Sequence, residues 1–130
     1  MTAYYDRSNL ERIPELMRLA PQAAASYLQF EKDVYRTSQA LPEKTKELIA
    51  VAVAHVAGCP YCIDVHVKKG KALGATREEL FEAVLVAAST RAGAILSHAT
   101  QALIAFGDDG AGGSGSAGTQ PRGAGPDCFC

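Results

Sequence analysis

The residues best suited to chemistry in this chain sit at helical intervals near its middle. Cys59, Cys62 and His66 form a C-x-x-C-x-x-x-H string, and Glu47 precedes the first cysteine by twelve residues. If the string is helical, steps of three and four stack both thiols and the imidazole on one face. Thiols at that spacing are within disulfide reach. A cysteine reacts as its thiolate, and an ordinary thiol with a pKa of about 8.5 is mostly protonated near neutrality. Three features favour the thiolate here. The pair falls in the first turn of a helix, where unpaired N–H groups attract negative charge. His66 can take the proton from Cys62 or stabilise its thiolate. Glu47 can orient His66 or exchange protons with it, directly or through water. Losing a proton, attacking an oxidant and closing a disulfide make a complete redox half-cycle.

Such a face needs helices to carry it, and the punctuation of the chain supplies them. A short amphipathic piece surrounds Leu10–Ile13 and Leu16–Leu19. Pro21 opens a helix through Gln22–Arg36, with Ala24, Leu28 and Tyr35 expected to face inward. Pro42 opens the next, through Glu43–Ala57, which stops at Gly58 in a left-handed cap. The reactive helix begins at Cys59 with Pro60 in its first position and ends by Gly74. Thr76-Arg77-Glu78-Glu79 is a capping box that announces a helix from Arg77 to Ser89. Gly93 marks an expected break before a last helix, Ala94–Phe106. Alternation never persists, so no strand is expected. The fold class is all-α, with about six helices.

Composition narrows the function classes. The chain has 130 residues, 48% of them hydrophobic and rich in alanine, with no Trp and a net charge of −1. One helical domain, residues 1–106, accounts for the core. Residues 107–130 are mostly Gly, Ser, Ala, Asp and Pro and read as a flexible tail that ends in Cys128-Phe129-Cys130. The charge balance argues against nucleic acid and anionic membranes. No uncharged apolar run nears the roughly 20 residues that cross a bilayer. No signal peptide opens the chain, so a cytoplasmic location is expected, where cysteines serve chemistry or metals more than scaffolding. Leu48–Ala54 is apolar on every face, and Leu80–Ala88 nearly so. Covering both predicts a homo-oligomer.

Glu47, Cys59-Pro60-Tyr61-Cys62 and His66, in this register, resemble the signature of the AhpD-like group within the carboxymuconolactone decarboxylase superfamily. The likeness covers about residues 40–106, including the Ala/Val-rich helix before Gly58 and the Gly-Ala-Thr-Arg-Glu-Glu after the site. It implies an all-helical trimer or hexamer that reduces hydroperoxides by its thiols, without haem, flavin or metal, and is regenerated by a dithiol or a thiol protein. By that analogy Cys62 takes the oxygen and becomes a sulfenic acid. Cys59 protonates the leaving group and then resolves the intermediate as a disulfide. Glu47 and His66 match the proton-relay positions. The chain departs from the best-studied peroxidases at Tyr61, where they carry a second histidine.

Other readings stand beside this one. The C-x-x-C-x-x-x-H string offers three metal ligands, and Cys128 or Cys130 could complete a zinc site or grip mercury or arsenic. In that case the protein binds or transfers a soft metal or metalloid. The tail cysteines could equally relay electrons to the core pair or be inert. A superfamily activity on a carbon acid or lactone is a third, weaker alternative. Tyr61 and Asp64 are as consistent with surface or capping roles as with function. His55 and His98 are expected to pack or hydrogen-bond. The strings Glu43–Lys46 and Lys68–Lys71 are expected to be solvated helix faces.

Overall fold

Prolines and glycines set the helix ends, as the sequence leads one to expect. The computed structural model describes residues 4–107. Among them it holds no strand and five α-helices: α1 (Ile13–Arg18), α2 (Pro21–Lys32), α3 (Glu43–Ala57), α4 (Pro60–Ala72) and α5 (Arg77–Phe106). A 3-10 turn, Arg7–Arg12, precedes α1, and a π turn, Asp33–Thr37, continues α2. Pro21 and Pro60 each sit in the first turn of their helix, where a missing N–H costs nothing. Gly58 ends α3 with φ of 68°, a left-handed conformation that glycine adopts without Cβ strain. Around it the Cys59 N–H bonds to the Ala54 carbonyl and the Gly58 N–H to that of His55. The capping box at α5 is reciprocal: Glu79 N–H donates to Thr76 Oγ1 and Thr76 N–H to Glu79 Oε1, both at 3.1 Å.

The chain divides into two compact units at Ala87/Ala88, and α5 continues across the boundary. In the first unit α3 packs on α4, and the buried side chains are few: Glu47, Val51 and Ala54 from α3, with Ala87 from α5. Gly70, one turn beyond His66, keeps α4 close to α3. A Cβ there would stand 3.7 Å from the Glu47 Cβ, so alanine fits and a longer side chain would push the helices apart. In the second unit Gly93 is buried within the helix.

Three expectations need correction. The last two predicted helices are one: Gly93 does not break α5, because an isolated glycine costs only about 1 kcal/mol inside a helix and good helix formers flank it. That single helix is, by length and composition alone, long and apolar enough to cross a membrane, a property hidden in the sequence because Arg91 interrupts the apolar run. Leu28 does not turn inward and stays 50% exposed, whereas Ala24 and Tyr35 are half-buried. Within one chain the apolar stretch Leu48–Ala54 of α3 is not covered on every face: Ile49 and Val53 are exposed, as is Val56 beyond it.

Candidate functional site

The site grows from the tight connection between α3 and α4. Because Gly58 reverses the chain at once, Cys59 becomes the N-cap of α4, and its Sγ accepts the Cys62 N–H at 3.2 Å. The same sulfur is joined to Cys62 as a disulfide, with Cα atoms 5.3 Å apart. The predicted pair is therefore held within bonding reach by one turn of helix.

Glu47 and His66 meet across the α3–α4 packing. His66 Nδ1 lies 2.7 Å from Glu47 Oε2, with both side chains largely shielded from water. A carboxylate only accepts, so Nδ1 carries the hydrogen, and Nε2 is the basic nitrogen of the neutral ring. Tyr35, from the π turn, stacks on the imidazole at 5.7 Å between centroids with 16° between planes. Burial, followed by the negative charge of Glu47 and then Glu31, pushes the Tyr35 phenol above its ordinary pKa, so it stays neutral. Lys46, expected to be a solvated charge, instead turns its ammonium onto the carbonyls of Val34 and Ser38. It clamps the turn that presents Tyr35. Asp33 helps from the other end, accepting from Gln29 and Thr37 at 3.1 and 2.9 Å.

Three cavities touch this cluster. The smallest, of about 270 Å³, lies between Tyr27, Phe30, Glu31 and Val34 and is shared by Tyr35 and His66. Of the larger two, one, of about 410 Å³, is walled by Val34, Leu41, Ile49, Ala50 and Val53, with Cys62, His66 and Tyr35 opening onto it. The other, of about 460 Å³, is lined by Glu31, Arg36, Glu43, Glu47 and Lys69, again with Tyr35 on its wall. The structure thus brings together Cys59, Cys62, His66 and Glu47, all four found from sequence. It adds Tyr35 and Lys46, which sequence reasoning passed over. Helical spacing marks Tyr35 only as inward-facing, and a π turn leaves no periodic signal.

Tyr61 and Asp64 work elsewhere. The Tyr61 hydroxyl donates to the Tyr4 carbonyl at 3.1 Å and accepts from Asn9 Nδ2 at 2.8 Å, and its ring meets Tyr5 edge-on. Asp64 bonds Arg7 at 2.7 Å and Lys68 at 3.1 Å. Although desolvation pushes its carboxyl up, the Lys68 and Arg7 cations outweigh it and hold the pKa below the usual range. Both residues tie the N-terminal segment to the outer face of α4. His55 donates from Nδ1 to the Val51 carbonyl at 2.7 Å, a hydrogen-bonding role of the expected kind. Among the described residues no three His, Cys, Asp or Glu side chains are grouped to hold a metal ion. Cys128 and Cys130 lie outside the described residues.

Residues 21–105 match the model of the carboxymuconolactone decarboxylase family. An uncharacterised protein, number 4 of the cox locus of Paracoccus denitrificans, is 46% identical over 98 residues, covering 75% of this chain and 87% of its own length. An uncharacterised protein of Cupriavidus necator is 34% identical over 87 residues, covering 67% of this chain and 77% of the relative. A crystal structure from Methanobacterium thermoautotrophicum superposes with a TM-score of 0.63 at 33% identity, covering 67% of this chain and 97% of that one.

Proposed function

The chain belongs to the carboxymuconolactone decarboxylase family, and within it we propose an AhpD-like, thiol-dependent oxidoreductase that reduces hydroperoxides through Cys59 and Cys62. One observation carries the proposal. Cys62 and His66 open onto a single apolar cavity, while Glu47 holds the imidazole from behind. That arrangement supplies a nucleophile, a base with its free nitrogen available, and an apolar space for an organic oxidant.

The cycle balances without a cofactor. In the reduced protein His66 takes the Cys62 proton, and the thiolate attacks the terminal oxygen of the hydroperoxide. The S–O bond forms as the O–O bond breaks, and the departing alkoxide leaves as alcohol with the proton of Cys59. The Cys59 thiolate then attacks the Cys62 sulfenic acid. The S–S bond forms, the S–O bond breaks, and hydroxide leaves as water with the proton held on His66. Two thiols and one hydroperoxide become one disulfide, one alcohol and one water. An external dithiol or thiol protein restores the thiols by exchange. A reducing cytoplasm is the compartment this cycle needs. The bare apolar residues of α3, with Phe81, Leu85 and Val86 of α5, support assembly into a homo-oligomer.

The test is direct. Fully reduced, metal-free protein given one equivalent of an organic hydroperoxide should form the Cys59–Cys62 disulfide within seconds, as mapped by mass spectrometry. Thiols that stay reduced for minutes overturn the proposal.

A further inference from the structure

We infer that Tyr35 is a positioning residue of the dithiol site: its ring, stacked on His66, keeps the imidazole aligned on Glu47 and offers an aromatic face to the positive charge that His66 receives from Cys62. The inference rests on the part of the proposed function in which Cys62 gives its proton to His66.

Three observations converge on it. The rings lie nearly parallel, within the range over which a π face attracts a cation. Tyr35 also lines all three cavities beside the Glu47–His66 pair, and no other described side chain is shared by them all. Finally, its backbone is held: the π turn is an uncommon conformation, often found at functional sites, and Lys46, one residue before Glu47 on α3, bonds the Val34 carbonyl within it and that of Ser38, which caps it. One helix thus anchors His66 from one side and the ring stacked on it from the other. The hydroxyl is not needed for this role.

The charged and titratable groups around His66 are Glu47 and Lys46 on α3, Cys62 on α4, Glu31 and Tyr27 on α2, and Tyr35 itself. Exchanging Tyr35 alone leaves the others in place. Alkylation of Cys62 in reduced Cys59→Ser protein, followed peptide by peptide against pH, reads thiolate formation with no hydroperoxide present. The experiment therefore stands even if hydroperoxide reduction fails. Tyr35→Leu should raise the midpoint of that profile by about half to one pH unit, because the imidazolium partner of the thiolate loses its aromatic face. Tyr35→Phe should restore the original midpoint. In a His66→Ala background Tyr35→Leu should add no further shift. If Tyr35→Leu does not fold by circular dichroism, Tyr35→Met takes its place. An unmoved midpoint in the Leu or Met variant, a Phe variant that shifts as far, or a shift that persists without His66 would each overturn the inference.

Discussion

Two cavities of similar size meet at Tyr35, and their walls differ in kind. The one that reaches Cys62 and His66 is built mostly from Val34, Leu41, Ile49, Ala50 and Val53, with the cation of Lys46 on its wall. The one that reaches Glu47 sets Glu31, Arg36, Glu43 and Lys69 among the apolar Leu28, Ala72 and Leu73. Helix α3 serves both, its first turns carrying Glu43 and Glu47 toward the charged side and its later turns carrying Ile49 to Val53 toward the apolar side. The contrast suits a reaction that needs an organic oxidant on one side of an imidazole and exchange of protons with water on the other. It also says where substitutions should matter. Changes at the Glu47–His66 partition should slow chemistry most after the thiols themselves, changes on the apolar wall should alter choice of substrate, and changes on the charged wall should do little.

The largest effect is expected at the nucleophile. Cys62→Ser should lower hydroperoxide turnover by roughly a thousandfold or more, because a hydroxyl is a far weaker nucleophile near neutrality. Cys59→Ser should instead allow one rapid turnover and then stall as the Cys62 sulfenic acid, detectable by a dimedone adduct. Equal steady-state rates in Cys62→Ser and unsubstituted protein would remove the thiol from the mechanism. Next comes the partition itself. Glu47→Gln keeps an acceptor for His66 Nδ1 but deletes the charge, and kcat/KM should fall about a hundredfold, the usual scale of a lost proton-transfer partner. A drop confined to KM would mean that Glu47 acts on binding alone.

Smaller effects distinguish the two walls. Leu41→Ser places a hydroxyl on the apolar side and should lower kcat/KM for a long-chain alkyl hydroperoxide by roughly tenfold, while hydrogen peroxide is affected little. The same loss for both oxidants would show that the wall shapes the site without selecting substrate. On the charged side, Glu43→Gln removes an exposed carboxylate, and rates with either oxidant should stay within about twofold. A fall as large as that of Glu47→Gln would make Glu43 part of the proton route and erase the distinction drawn between the walls.

Much of this arrangement was legible in the sequence because local chemistry dictates it. Pro21, Pro42 and Pro60 place helix starts, Gly58 supplies the left-handed stop, and Thr76 with Glu79 closes the box at α5. The register of Glu47, Cys59, Cys62 and His66 needs only that two adjacent helices pack, which a glycine-linked pair does readily. What escaped depends on partners far apart in sequence or on irregular backbone. Nothing near Tyr61 announces Asn9 or Tyr4 as its partners. Lys46 looks like one cation in a charged string until the π turn brings the Val34 carbonyl to it. That turn adds a residue to the helical period and redirects Tyr35, which no pattern of threes and fours foretells. Gly93 misled in the opposite sense, since the flanking helix formers outweigh one glycine.

The smallest expected effect concerns the partition's own stability. Burial, then the charges of Glu47 and Glu31, raise the Tyr35 phenol above the 10.0 of an unfolded chain. The folded state therefore holds this proton more tightly than the unfolded state does. Well below pH 10 both forms are neutral and the contribution is fully present. As pH rises past that value the unfolded chain ionises first, and stability falls until the folded phenol titrates as well. Urea midpoints at matched ionic strength should therefore drop as pH rises through about 10. Tyr35→Phe should drop less. Tyr27, raised mainly by its hydrogen bond to Glu31, will keep part of the decline in that variant. If the two proteins lose stability equally, the Tyr35 hydroxyl is already in water, and the boundary between the charged and apolar sides runs elsewhere.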